Sequence, residues 1–389
     1  MWGGKNIRRT LHALFGFASP LHLPGEGTSL ARRDTISVIN DLSRLVRNDP
    51  EAIDIYLALG NLFRAQGDIE RAVMIREQLI ARPGLNAKFK SRSYFELGQD
   101  YLRAGVIDRS LDAFRQAAEQ GHEADAVTRE LATLFAQAGD FSKASEEYGQ
   151  LGHYLAQAHY LVRLAEETQS DKAEKLLKKA LRIYPGSIEA WSAVVSRAAG
   201  DEAWKKLPSL LEKALAKITA TQRFLVFEAL LQTEARYRSR HKKTEDGYSP
   251  LGVPYPSPAN LDDRTFAKAL CGAVIPVLEN QEPHLLLHYY GALLLEQAQE
   301  FEAMEIWLAK ALVVQPDFWA ARLLSLSLAA KKHDLSPVVS LQIDYFAEEL
   351  KHLKRFICTV CGFRGNTVFY RCHRCSSWHS LAFRSSLQE

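Results

Sequence analysis

The chain has 389 residues, 47% of them hydrophobic and 24% charged, with a formal net charge of +3. Such a composition is ordinary for a folded soluble protein, and the length suits two or three domains or one extended repeat array. The total charge is too small to imply general nucleic-acid affinity, and no stretch approaches the roughly 20 apolar residues that span a bilayer.

Residues 1–34 read as a basic amphipathic segment. Lys5, Arg8 and Arg9 precede the apolar run from Leu11 to Phe17, and Pro20 and Pro24 end it. On a helix, Ile7, Leu11, Leu14 and Phe15 share one face, with the cations largely elsewhere. No signal-cleavage site follows. The stretch suits an ordinary docking helix or frayed terminus, or a peripheral membrane contact through residues 5–17 on an anionic surface.

Residues 35–235 repeat themselves. Tyr56-x2-Leu59-Gly60-x2-Phe63 returns as Tyr94-x2-Leu97-Gly98-x2-Tyr101 and again as Leu131-Ala132-x2-Phe135, with anchor spacings of 38 and 34 residues. Seven positions after each small anchor stands a glycine (Gly67, Gly105, Gly139), and twelve after it another small residue (Ala72, Ser110, Ala144). Antiparallel helices approach closely only where facing residues are small, and the glycine ends the first helix at a turn. Phe114 and Tyr148, four residues past the second small position, are expected to fill the space between neighbouring hairpins. Ala173, Leu177, Ala180 and Pro185 read as the second helix of a fourth copy, and residues 191–214 as a degenerate fifth interrupted by Pro208. These segments resemble the tetratricopeptide repeat, which implies an all-α superhelix of helical hairpins that binds protein segments.

Residues 236–262 break the pattern. A basic run, Arg236, Arg238, Arg240, His241, Lys242 and Lys243, leads into Pro250, Pro254, Pro256 and Pro258. So many prolines cannot continue a helix, so this is a linker, its basic run either a solvated helix end or a binding patch. Helical repeats resume over 263–350 with Leu287, Gly291, Ala303, Trp307 and Pro316, and Trp319 opens a last partial unit.

The final segment, 351–389, holds four of the chain's five cysteines as Cys358-x2-Cys361 and, ten residues on, Cys372-x2-Cys375. Two such knuckles on a short hairpin can aim four thiolates at one point, which suits tetrahedral Zn²⁺, with iron the competing metal for a sulfur-only site. Gly362 fits the positive-φ turn that a knuckle needs. Disulfides would require an oxidising compartment, and no secretory signal is present. Seven Lys/Arg stand against the single acid Glu389 here, so the module stays basic even after four thiolates and a divalent ion are counted. The aromatics Phe356, Phe363, Phe369, Tyr370 and Trp378 are either the core of a β-rich zinc ribbon or a nucleic-acid face.

Nothing here reads as an enzyme: no Gly-rich phosphate loop, nucleophile elbow or H-E-x-x-H motif occurs, so no catalytic residue is assigned. His153, His159, His284 and His288 read as packing or surface residues, and Cys271 as a small buried one. A closed four-thiolate site also leaves no open position for catalysis. A rubredoxin-like iron centre would make the module a redox carrier; a nucleic-acid ribbon is the other alternative to a protein-binding scaffold.

The combination of both ends resembles the lipopolysaccharide assembly protein B family. The residues that carry the likeness are Leu59-Gly60-Asn61-Leu62-Phe63-Arg64, Leu97-Gly98-x-Asp100-Tyr101, Cys358-x2-Cys361-Gly362-Phe363, Tyr370, Cys372-x2-Cys375 and Trp378. The resemblance implies a non-catalytic adaptor on the cytoplasmic face of the inner membrane, with a rubredoxin-like ribbon held against its repeats. It implies metal ligation by Cys358, Cys361, Cys372 and Cys375. It also implies control of lipopolysaccharide synthesis by helping a membrane-bound AAA+ protease degrade a lipid A deacetylase. Two features depart from the family pattern: the N-terminus offers only the short stretch up to Phe17 in place of a membrane helix, and a proline-rich insertion stands at 249–258.

Overall fold

The structure is a computed structural model in which residues 53–168, 170–241, 261–332, 336–351 and 354–386 are described. The expected N-terminal segment and the prolines of the linker lie outside these residues. The described chain divides into two compact units after Leu134.

The first unit contains α1 (Ile53–Gln66), α2 (Ile69–Ile80), α3 (Ala87–Ala104), α4 (Ile107–Glu119) and most of α5 (Ala124–Gln137). Short polar residues open the helices. Asp68 accepts from the Arg71 amide ahead of α2, and Asn86 from the Lys88 amide ahead of α3, satisfying amides the helix leaves unpaired. α1 packs on α2, α2 on α3, and α3 on α4, which is a run of antiparallel hairpins. Gly98 shows why the small anchor is needed, since a Cβ there would sit 2.8 Å from the Phe114 ring. Phe114 therefore fills its own hairpin, and it reaches the next one through Val127 and Leu134.

The first hairpin solves the same problem differently. Where the later copies carry Phe114 and Tyr148, it carries Arg76, fully buried with its guanidinium over Gly60. The charge is held by the Leu57 carbonyl at 2.9 Å, the Asn61 side chain and the carboxylate of Asp100 at 3.4 Å. Burial raises the Asp100 carboxyl, and Arg76 and Arg64 oppose that shift. This ionic group lies beside an apolar cluster of Leu59, Phe63 and Ala72 in the same hairpin.

The second unit continues with α6 (Phe141–Gln150), α7 (Tyr154–Glu167), α8 (Ser170–Ile183), α9 (Ile188–Gly200), α10 (Leu207–Lys217), a short 3₁₀ turn (Ala220–Gln222) and α11 (Phe224–His241). After the linker come α12 (Leu261–Glu279), α13 (Leu285–Gln297), α14 (Phe301–Val314), α15 (Trp319–Lys332) and α16 (Pro337–Lys351). Pro208 does not interrupt a hairpin but lies at the start of α10, where its missing amide costs nothing. The basic run at 236–241 is the end of α11. The last expected pair is α13 against α14, in which Gly291 lets the Trp307 ring approach.

The chain ends in β1 (Phe356–Cys358), β2 (Arg364–Gly365) and β3 (Leu381–Phe383), an antiparallel sheet in the order β2-β1-β3. The fold is thus an all-α tetratricopeptide array carrying a small C-terminal β ribbon. Phe356, Phe369, Leu381 and Phe383 of the ribbon share one continuous core with helix residues such as Phe224, Tyr290 and Phe318. A three-stranded piece this small cannot bury enough surface alone, so the array supplies the other half of its core.

Candidate metal centre and its docking face

Two knuckles with the same backbone plan bring the cysteines together. In the first, the Gly362 amide donates to the Cys358 carbonyl at 2.9 Å and the Cys358 amide to the Phe363 carbonyl at 2.8 Å. In the second, the Ser376 amide donates to Cys372 and the Cys372 amide to Ser377, both at 2.9 Å. Both turns need a left-handed residue after the second cysteine. Gly362 takes φ 71° at no steric cost, whereas Ser376 takes φ 57° against its Cβ.

All four sulfurs lie within 4.8 Å of one another, with Cys358 Sγ 3.7 Å from Cys375 Sγ and Cys361 Sγ 3.6 Å from Cys372 Sγ. A tetrahedral ion with sulfur ligands at about 2.3 Å requires edges of about 3.8 Å, so the cluster could hold a metal ion. The thiols' electrostatics diverge. Burial opposes ionisation of Cys358, but hydrogen bonds from Ser380, Ser377 and the Cys361 and Val360 amides bring it down to about 5. The Phe363 amide favours the Cys361 thiolate, yet the neighbouring thiols Cys375, Cys372 and Cys358 help push it up to about 12. Four thiolates this close repel unless a cation stands between them.

The ribbon rests on the array through two buried acids that sequence reading did not single out. Glu189, on α9, is only 4% exposed. Its Oε1 lies 3.0 Å from His379 Nε2 of the ribbon and 3.2 Å from His159 Nδ1 of α7. Burial alone would raise this carboxyl; the hydrogen bonds and charges of the two histidines override it and hold it at about 2. Glu228, on α11, accepts from Arg355 of the ribbon at 3.1 Å and from the Tyr290 hydroxyl at 2.7 Å. Gln222 donates to the His379 carbonyl at 2.6 Å, and the Trp319 indole to the Arg384 carbonyl at 3.0 Å.

Aromatic packing completes the seat. Phe383 meets Phe224, Tyr289, Tyr290 and Phe318 with ring centroids 5.7–6.4 Å apart. Trp378 sits 5.0 Å from His159 and carries Arg371 on its own ring at 5.5 Å. The ribbon's aromatics are therefore neither a closed private core nor a free face: Phe356, Phe383 and Trp378 turn into the array, while Phe363 and Phe369 pack with His373. Of the other sequence candidates, His153 and His284 cap helices, and Cys271 lies buried with its thiol donating to the Leu294 carbonyl at 3.1 Å. Burial pushes that thiol up to about 12, so it is inert as a nucleophile.

The fold and the sulfur cluster define a tetratricopeptide-repeat protein with a four-cysteine ribbon seated on its own repeats. No family model matches the chain. The chain is a remote relative of lipopolysaccharide assembly protein B. It is 24% identical to that protein from Escherichia coli K12 over 354 residues, covering 87% of this chain and 82% of that one. It is 23% identical to the Haemophilus influenzae protein over 343 residues, covering 84% and 78%. Among solved structures, a tetratricopeptide repeat protein from Parabacteroides merdae has 14% identity and a TM-score of 0.35, covering 70% of this chain and 97% of that one. The crystal structure of YrrB, a tetratricopeptide protein with an unusual peptide-binding site, gives 18% identity and a TM-score of 0.32, covering 48% and 96%. Scores this low add nothing to the fold, which rests on the hairpins themselves.

Proposed function

We propose that this chain is a non-catalytic adaptor that binds protein partners through its repeats and holds zinc at Cys358, Cys361, Cys372 and Cys375. On this reading it regulates lipopolysaccharide synthesis by presenting a lipid A pathway enzyme to a membrane-bound AAA+ protease. The observation that carries it is the pairing, in one chain, of helical hairpins with a four-thiol ribbon docked on them, over the length shared with lipopolysaccharide assembly protein B. Among the described residues no helix is long and apolar enough to cross a membrane; a peripheral membrane contact is proposed through the basic amphipathic segment at residues 5–17. In this organisation the repeats at 35–235 and 263–350 flank the linker at 236–262, and 351–389 is the metal module.

Zinc is preferred over iron because all four donors belong to a closed structural staple with no position left for substrate. Elemental analysis of the purified chain tests this: one zinc per chain is expected, and a visible absorbance band with bound iron would replace the proposal by a rubredoxin-like centre. Exchange of Cys361 for Ser should release the metal and lower the melting temperature; unchanged metal content and melting would refute the site. Affinity purification with mass spectrometry tests the adaptor role, with a membrane protease and a lipid A enzyme as expected partners. Recovery of RNA that moderate salt strips away would favour the nucleic-acid reading instead.

A further inference from the structure

The second unit shows how this array holds a segment of polypeptide. The specific ribbon contacts come from α7, α9, α11, α13 and α15, every second helix, or from the residues just ahead of them. In repeat arrays the same face of successive hairpins forms the extended binding surface. Here that face offers buried acids, Glu189 and Glu228, and the segment seated on it brings His379 and Arg355.

The matching face of the first unit has the opposite sign. On α3, Lys88, Arg92, Phe95, Gln99 and Arg103 recur every three or four residues and so line one side of the helix. Lys88, Arg92 and Arg103 are exposed, and Phe95 and Gln99 half-buried. The acids of α3 are already committed. Glu96 pairs with Arg64 at 2.7 Å, and Asp100 with Arg64 and Arg76 at 2.9 and 3.4 Å. The remaining sides of the helix are taken: Leu97 and Tyr101 pack toward Val73 and Ile80, and Gly98 lies under Phe114. Phe95 carries the His122 ring stacked at 4.4 Å, which extends a flat patch toward the start of α5, where Arg129 is exposed as well. Glu123 acts on the His122 ring at the border of the patch.

This arrangement works against the stability of the helix. α3 has no acid in its first turn, and Lys88 and Arg92 are like charges four residues apart near the positive end of the helix dipole. Each such placement weakens the helix when nothing compensates. α2, α4 and α5 instead place Glu70, Asp108 and Asp125 in that turn. An acidic ligand would turn the cost into a charge-assisted contact.

We propose that the α3 face of the first unit, centred on Arg92 and Arg103 with Phe95 and Gln99 between them, binds an acidic peptide segment of a partner protein. The proposal rests on the adaptor reading and deepens it by naming the chemistry of what is bound. A peptide is the occupant because the second unit already seats polypeptide on the equivalent face, with the charges reversed.

Fluorescence anisotropy with a fluorescein-labelled dodecaglutamate peptide and the full chain tests it. Binding is expected, and the pair Arg92→Glu and Arg103→Glu should weaken it at least tenfold. Lys213→Glu with Lys217→Glu, a charge-matched pair on α10, should leave it within twofold. If the reversal pair melts early, Arg92→Gln with Arg103→Gln serves in its place, with a loss of threefold or more expected. No peptide binding, equal loss in the α10 pair, or Arg92- and Arg103-dependent binding of phosphatidylglycerol vesicles or a 12-nucleotide RNA in place of the peptide would overturn it. Capture of the protease and the lipid A enzyme by the α3 reversal pair, at the level of the unaltered chain, would retire this face and leave the adaptor reading standing. Peptide binding by a chain that captures neither protein would retire only the adaptor reading.

Discussion

Replacement of Glu189 by Gln isolates the electrostatic latch between ribbon and array. The carboxyl is held at about 2 against an ordinary 4.5, although burial works to raise it. At about 1.4 kcal/mol per tenfold change in affinity for the proton, the charged form contributes about 3 kcal/mol of folded-state stability. Gln keeps the shape and one acceptor, so about 2–3 kcal/mol should be lost. For a unit running from Phe135 to the C-terminus that is a fall of about 4–12 °C in its melting temperature. The sign with pH follows from the depressed value: the contribution is complete above about pH 4.5 and is lost as pH falls toward 2, so the gap between the two proteins should close over that window. Thermal melts followed by circular dichroism would measure it, alongside the rate at which a chromogenic chelator strips the metal, which should rise as the ribbon loosens. A cycle with His379→Ala completes the test. A coupling energy above about 1 kcal/mol is expected for residues that share this contact. Strictly additive losses, or a Gln variant within about 0.5 kcal/mol of the unaltered chain, would show that the latch contributes packing only.

Three further substitutions probe the packing of the hairpins and the second knuckle. Gly98→Ala would drive a methyl to 2.8 Å from the Phe114 ring and should cost about 1–3 kcal/mol in urea unfolding. Ser376→Gly should gain about 1 kcal/mol by relieving a left-handed backbone at φ 57°, seen as a higher melting temperature and slower metal loss. Arg76→Ala should cost about 3–5 kcal/mol, since it strips the buried Asp100 carboxylate of one of its two cations and empties the space above Gly60; a loss under about 1 kcal/mol would mean that water replaces the guanidinium freely.

The hairpin array was legible because its signal is local. Gly60, Gly98 and Ala132 are separated by nearly constant intervals, and the glycines Gly67, Gly105 and Gly139 all take left-handed φ of 76–85° where the first helices end. The cysteines were legible for the same reason, two knuckles that each close within six residues. The ribbon's seat was not. Glu189 and His379 are 190 positions apart, and Glu228 and Arg355 are 127 apart. Neither pair has a spacing that marks it. A glutamate in the first turn of a helix, as Glu189 is, reads as a solvated dipole partner until burial shows otherwise. Arg76 carried no signal either, because a repeat position that holds an aromatic in other copies gives no warning that a charge can fill it.

The seat sets what a metal held by the four cysteines would do for the molecule. Phe356 and Phe383 belong to the same core as Phe224, Tyr290 and Phe318, so the knuckles hold β1 and β3 in place for helices far from them in sequence. Undocking of the ribbon would leave Glu189 and Glu228 on the array without His379 and Arg355, and a buried carboxylate without its partner is strongly destabilising. An ion bound at the four cysteines would therefore link ribbon docking to the packing of α7 to α15, and any free energy it supplied would be felt across the second unit. In the first unit Arg64, Arg76, Glu96 and Asp100 form their own ion-pair group, and the basic stripe on α3 lies outside it. The same first-helix face thus serves two ends in one chain, filled by the chain's own ribbon in one unit and presented to solvent with the opposite charge in the other.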